Sequence, residues 1–62
     1  MCESNAYLRR GEDEELVLEE VVVIEPVAGG YLLRNLFGEE TTVAGRIAEI
    51  NLLKHKVVFA PE

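Results

Sequence analysis

One cysteine, one histidine, two prolines and no tryptophan leave few side chains for chemistry in these 62 residues. A single cysteine closes no internal disulfide, and an unpaired thiol suits a reducing compartment. The expected location is the cytoplasm. Cations are scarce as well: 6 Lys and Arg stand against 12 Asp and Glu, for a net charge of −6. That balance argues against a phosphate-tracking surface, which needs clustered basic side chains, and Arg9-Arg10 and Lys54-Lys56 are too sparse to make one. Two Tyr and two Phe offer few stacking platforms for bases. Nucleic acid is not an expected partner. Apolar runs of membrane-spanning length are missing, and the first residues are polar, so neither a membrane segment nor a signal peptide is expected.

Catalytic groupings are missing too. No serine, histidine and acid pattern resolves into a nucleophile, and the carboxylates are abundant but undirected. A domain this small has little room for a substrate pocket of roughly 300 Å³. The expectation is a protein that is not an enzyme.

What remains reads as one small domain spanning 1–62. A chain of this size buries only about 60% of the surface it exposes when unfolded, so its core is marginal. Disulfides, metals or self-association usually make up the deficit. With one cysteine, a homodimer is the expected remedy.

The pattern along the chain is all-β. Cys2 to Arg10 alternates with period two, and Gly11-Glu12-Asp13 reads as a turn. Glu14 to Glu20 surrounds the apolar centre Leu16-Val17-Leu18, a second strand. The acidic runs on either side lack calcium-loop spacing and read as a solvated hairpin tip and edge. Val21-Val22-Val23-Ile24 is β-branched throughout and gives the best strand-core signal. Pro26 belongs near a strand end or edge. Gly29-Gly30 marks a hairpin turn, since no phosphate-loop pattern surrounds it.

Tyr31 to Phe37 runs back as the next strand, with Leu32, Leu33, Leu36 and Phe37 expected in the core. Thr41-Thr42-Val43 is extended, Gly45 is a bulge or bend, and Arg46 to Leu52 favours strand over a helical turn. Leu53-Lys54-His55 connects to a last strand, Lys56 to Ala60, ended by Pro61. The expected fold is a small six- or seven-stranded antiparallel barrel, SH3-like.

Cys2 is the candidate metal ligand. Removal of Met1 would leave a free amine beside the thiol, and the two would close a five-membered chelate ring on a soft or borderline metal. With Met1 retained, the Cys2 backbone nitrogen takes that place as an amidate. Thiolates favour nickel, copper(I), zinc or iron over magnesium and calcium. His55 is the other candidate, but a short hairpin loop needs positive φ, which histidine tolerates better than most residues. It reads as a turn residue before a ligand.

Met1-Cys2-Glu3 followed by an Ala-Tyr-Leu strand resembles the opening of the CooT family of small nickel-binding proteins. The stretches Glu14 to Val21, Asn35 to Glu40 and Ile47 to Leu52 are also similar to that family's pattern. The resemblance implies a maturation role: nickel(II) delivery to carbon monoxide dehydrogenase or another nickel enzyme, with Cys2 as metal ligand at or near a homodimer interface. A more distant likeness is to the HypC/HupF hydrogenase chaperones, which also begin Met-Cys on a small barrel. Glu3-Ser4-Asn5 departs from their apolar, proline-containing opening. A metal-free interaction barrel is the third reading.

Overall fold

The computed structural model describes Glu3 to Pro61. Six strands follow in order: β1 (Ser4–Arg10), β2 (Asp13–Val27), β3 (Gly30–Asn35), β4 (Glu40–Ala44), β5 (Arg46–Asn51) and β6 (Lys56–Ala60). They form one sheet in the order β4-β3-β2-β1-β6-β5. All neighbours are antiparallel except β1 and β6, which run parallel from Asn5 opposite Lys56 to Leu8 opposite Phe59. The expected antiparallel barrel is corrected on two counts. The sheet is mixed, and β4 and β5 remain edge strands, so no ladder closes it.

The second correction concerns β2. Glu14–Glu20 and Val21–Ile24, read as separate strands, are one strand of 15 residues. Register shifts between Ser4 and Ala6, between Ala6 and Tyr7, and between Val21 and Val23 put extra residues into β2. Such bulges bend a strand and increase its twist. The bent strand serves two ladders. Residues up to Val21 pair with β1, and residues from Val21 to Val27 pair with β3. The bulges also rotate the valine run: Val21 is buried while Val22 and Val23 face solvent. Pro26 lies one residue from the end of β2, where its missing N–H costs the ladder least.

The core is Ala6, Val21, Leu33, Val43, Val57 and Phe59, with Tyr31 tilted against Phe59 at 5.6 Å between ring centroids. Leu36 and Phe37, expected inside, lie beyond β3 in the following turn and are exposed. Their place is taken by β6, whose Val57, Val58, Phe59 and Ala60 are all buried. A strand flanked by two others and covered on both faces reads as a continuous apolar run. One cover of β6 is a charged lattice. Arg9 Nη2 donates to Glu14 Oε2 and to Glu49 Oε1, both at 3.3 Å. Lys56 Nζ lies 2.5 Å from Glu14 Oε1 and 5.2 Å from the Tyr7 ring centroid.

Gly45, at the turn between β4 and β5, has φ of +108°, a region open to glycine and strained for other residues. A Cβ there would also run into the carbonyl oxygen of Ala60. The expected bend is thus both a conformational and a steric requirement.

Candidate metal-binding end of the sheet

Ladder registers place several chain segments at one end of the sheet. Asn35 lies opposite Val21, Val21 opposite Ser4, Asn5 opposite Lys56, and Lys56 opposite Asn51. Across this row β3 and β5 leave the sheet while β1 and β6 enter it. The start of β1, the β3–β4 turn and the β5–β6 turn therefore share one rim. Cys2 itself lies outside the described residues.

Asn5 holds the start of β1. Its backbone N–H donates to the His55 carbonyl oxygen at 2.8 Å, and its side-chain Oδ1 accepts from the Glu20 N–H at 3.1 Å. Glu20 sits at a bulge with φ of 54°, so its amide is turned out of the regular ladder and the asparagine oxygen satisfies it. Asn35 organises the neighbouring turn. Its Oδ1 accepts from the Phe37 and Glu39 N–H groups at 3.1 and 2.8 Å, and its Nδ2 donates to Glu39 Oε1 at 2.7 Å. In the third loop, Asn51 Oδ1 accepts from the Lys54 N–H at 3.1 Å. Three asparagines thus fix the rim, and sequence reading singled out none of them. The signal was available, since asparagine satisfies backbone amides in turns that ladders leave open.

His55 has φ of 54°, as a turn residue in this loop requires. It also lines an open depression of about 480 Å³ together with Glu3, Asn5, Glu19, Glu20 and Lys54. The fold therefore brings His55 to the residue next to Cys2. Among the described residues no group of three or more His, Cys, Asp or Glu is close enough to hold a metal ion. A metal at this rim needs donors beyond them.

Around the rim, apolar side chains stand in solvent: Leu53 is 89% exposed, Leu52 75%, Phe37 69% and Leu36 50%. Leu36 and Phe37 follow β3 and Leu52 and Leu53 follow β5, two exposed apolar pairs at opposite ends of the row.

The sequence model of the family described as CO dehydrogenase accessory protein CooT matches residues 1–60. The chain belongs to the CooT family. A crystal structure described as a CooT of Carboxydothermus hydrogenoformans superposes with a TM-score of 0.92 at 34% identity, covering 98% of each chain. An uncharacterised protein of Methanothermobacter thermautotrophicus is 31% identical over 62 residues, covering 100% of this chain and 92% of its own. An uncharacterised protein of Methanocaldococcus jannaschii is 32% identical over 57 residues, covering 92% of this chain and 93% of its own. Membership carries an accessory role toward CO dehydrogenase. Among the described residues no helix is long and apolar enough to cross a membrane.

Proposed function

We propose that this protein carries nickel(II) as cargo for the maturation of carbon monoxide dehydrogenase, with Cys2 as the ligand. The observation that carries the reading is the CooT match over residues 1–60, which includes Cys2, joined to a rim that presents the start of β1. One thiolate and one backbone nitrogen from each chain make two ligands. Square-planar nickel(II) takes four. A two-fold homodimer that sets two N-terminal segments side by side supplies the set from identical halves. The exposed Leu36, Phe37, Leu52 and Leu53 support a contact on this rim. Asn5 positions the strand, and Glu3, Glu19 and Glu20 give the rim a negative potential that attracts a cation. An open site made of terminal donors releases its metal without unfolding the sheet.

The test is a nickel titration followed by thiolate-to-nickel charge-transfer absorption, with sedimentation on the same samples. One nickel per dimer is expected, with affinity rising through neutral pH as a thiol of ordinary pKa ~8.5 loses its proton. Cys2→Ser abolishes the absorption and the tight binding. Stoichiometric nickel retained by Cys2→Ser, or zinc(II) bound as tightly as nickel, overturns the proposal, because zinc favours tetrahedral sites.

A further inference from the structure

Among the described residues, the sheet fails to close along a seam with two unpaired strand edges. Residues 13–20 of β2 pair with β1 on one side, and β3 takes up the other side only from Val21 onward. β4 pairs with β3 alone. These two free edges share cavities. One of about 560 Å³ is lined by Leu16 and Val17 of β2 and by Thr42, Val43 and Ala44 of β4. A second of about 400 Å³ continues it, between Leu16 to Glu19 and Glu39-Glu40. Leu16 and Val17 belong to both. The cleft therefore runs beside β4 from Glu40 to Ala44, about 17 Å at 3.3–3.4 Å per residue.

Its charge is graded. Arg9, Arg10 and Glu15 stand at the Ala44 end, and Glu19, Glu39 and Glu40 stand at the other. Arg10 Nε lies 3.2 Å from Glu15 Oε1, which leaves the Ala44 end with a single net positive charge. The floor between them is apolar, with Leu8, Val17 and Val43.

We propose that this cleft binds an extended segment of a partner protein, inserted as a strand between β2 and β4. The segment has apolar side chains at alternate positions, a cationic end over Glu19, Glu39 and Glu40, and an anionic end over Arg10. Unpaired backbone groups on both walls are satisfied by an extended polypeptide, which has donors and acceptors on both of its own edges. A second copy of this chain is a poorer occupant. Its β4 is already paired with β3 and has one free edge, so it would fill one wall and leave the other open. Nucleic acid would set phosphates against three carboxylates. The inference goes beyond metal carriage and does not depend on it, so the test uses metal-free protein.

The probes are two end-blocked peptides of alternating valine and threonine, with two lysines at one end and two glutamates at the other, in opposite orientations. Binding is read by fluorescence anisotropy, and its place by amide hydrogen exchange. One orientation is expected to bind at least tenfold more tightly than the other and to slow exchange in both Glu14–Val17 and Thr41–Ala44. Leu16→Lys, at a side chain 48% exposed, should weaken binding at least tenfold with the thermal midpoint unchanged. Arg10→Glu should reduce the preference between orientations. No protection of either edge at millimolar peptide overturns the proposal. So does protection of β4 that grows with protein concentration alone, which would assign the cleft to a second copy.

Discussion

The Asn5 N–H donates to the His55 carbonyl oxygen at 2.8 Å, which ties the start of β1 to the β5–β6 turn. Residue 2 lies three positions before this bond in the chain. Asn5 and His55 are 50 residues apart in sequence, so the entry into β1 is tied to the far end of the chain.

Replacing the Asn5 side chain tests that link. In Asn5→Ala the Glu20 N–H loses its acceptor, at a cost of about 1–3 kcal/mol if water does not replace it. Under the proposed role, nickel affinity should also fall several-fold, because the start of β1 is less firmly held. Denaturant unfolding and nickel titration on one preparation read the two effects. Unchanged stability would show that the asparagine oxygen is dispensable.

His55 can be separated into backbone and imidazole. Its φ of 54° costs an L-residue roughly 1–2 kcal/mol that glycine does not incur. His55→Gly should equal or exceed the parent in stability, and His55→Ala should fall below His55→Gly by about 1 kcal/mol. Nickel binding should be nearly the same in all three. Loss of the metal in both variants would make the imidazole a ligand.

At Gly45 the expectation is larger. Gly45→Ala meets strain and the Ala60 carbonyl together, and should cost at least ~2 kcal/mol. A thermal midpoint within a degree or two of the parent would mean that the β4–β5 corner relaxes freely.

The lattice over β6 gives a pH dependence. Lys56, first by its hydrogen bond, holds the Glu14 carboxyl below its ordinary value, while Glu14 raises the Lys56 ammonium above its own. The depressed Glu14 contributes stability at pH above its unfolded value, and loses it as pH falls through the folded value. The raised Lys56 contributes below its unfolded value and loses it as pH rises through the folded one. Stability should therefore be flat across neutrality and decline at both extremes. Glu14→Gln should reduce the acid-side slope between pH 5 and 3, and 0.5 M salt should reduce it too, since the pair faces solvent. Equal slopes in parent and variant would assign acid unfolding to other carboxylates.

Much of the local architecture was legible because it rests on local physics. The last strand was expected at Lys56 to Ala60 and is found there, between a turn residue and a proline. His55 at positive φ and the bend at Gly45 followed from what those residues tolerate. The merging of two expected strands into β2 was not legible, since a bulge inserts a residue without changing composition. Hydropathy placed Leu36 and Phe37 inside, but the Asn35 side chain turns the chain out of the sheet before them. The parallel pairing of β1 with β6 is long-range and leaves no periodic trace. For the rim, the sequence pointed to Cys2 and His55 and passed over the asparagines that shape it. Residue type marks possible chemistry more readily than it marks backbone support.

That parallel pairing has a consequence for when the protein takes shape. β1, near the beginning of the chain, finds its second neighbour only in β6, and β6 brings Val57, Val58 and Phe59 into the interior. Contacts so distant in sequence form slowly and last. On the ribosome, residues 4–51 can make hairpins but lack β6, the strand that joins β5 to β1. The rim at the start of β1 therefore completes its ladder only after β6 has left the exit tunnel.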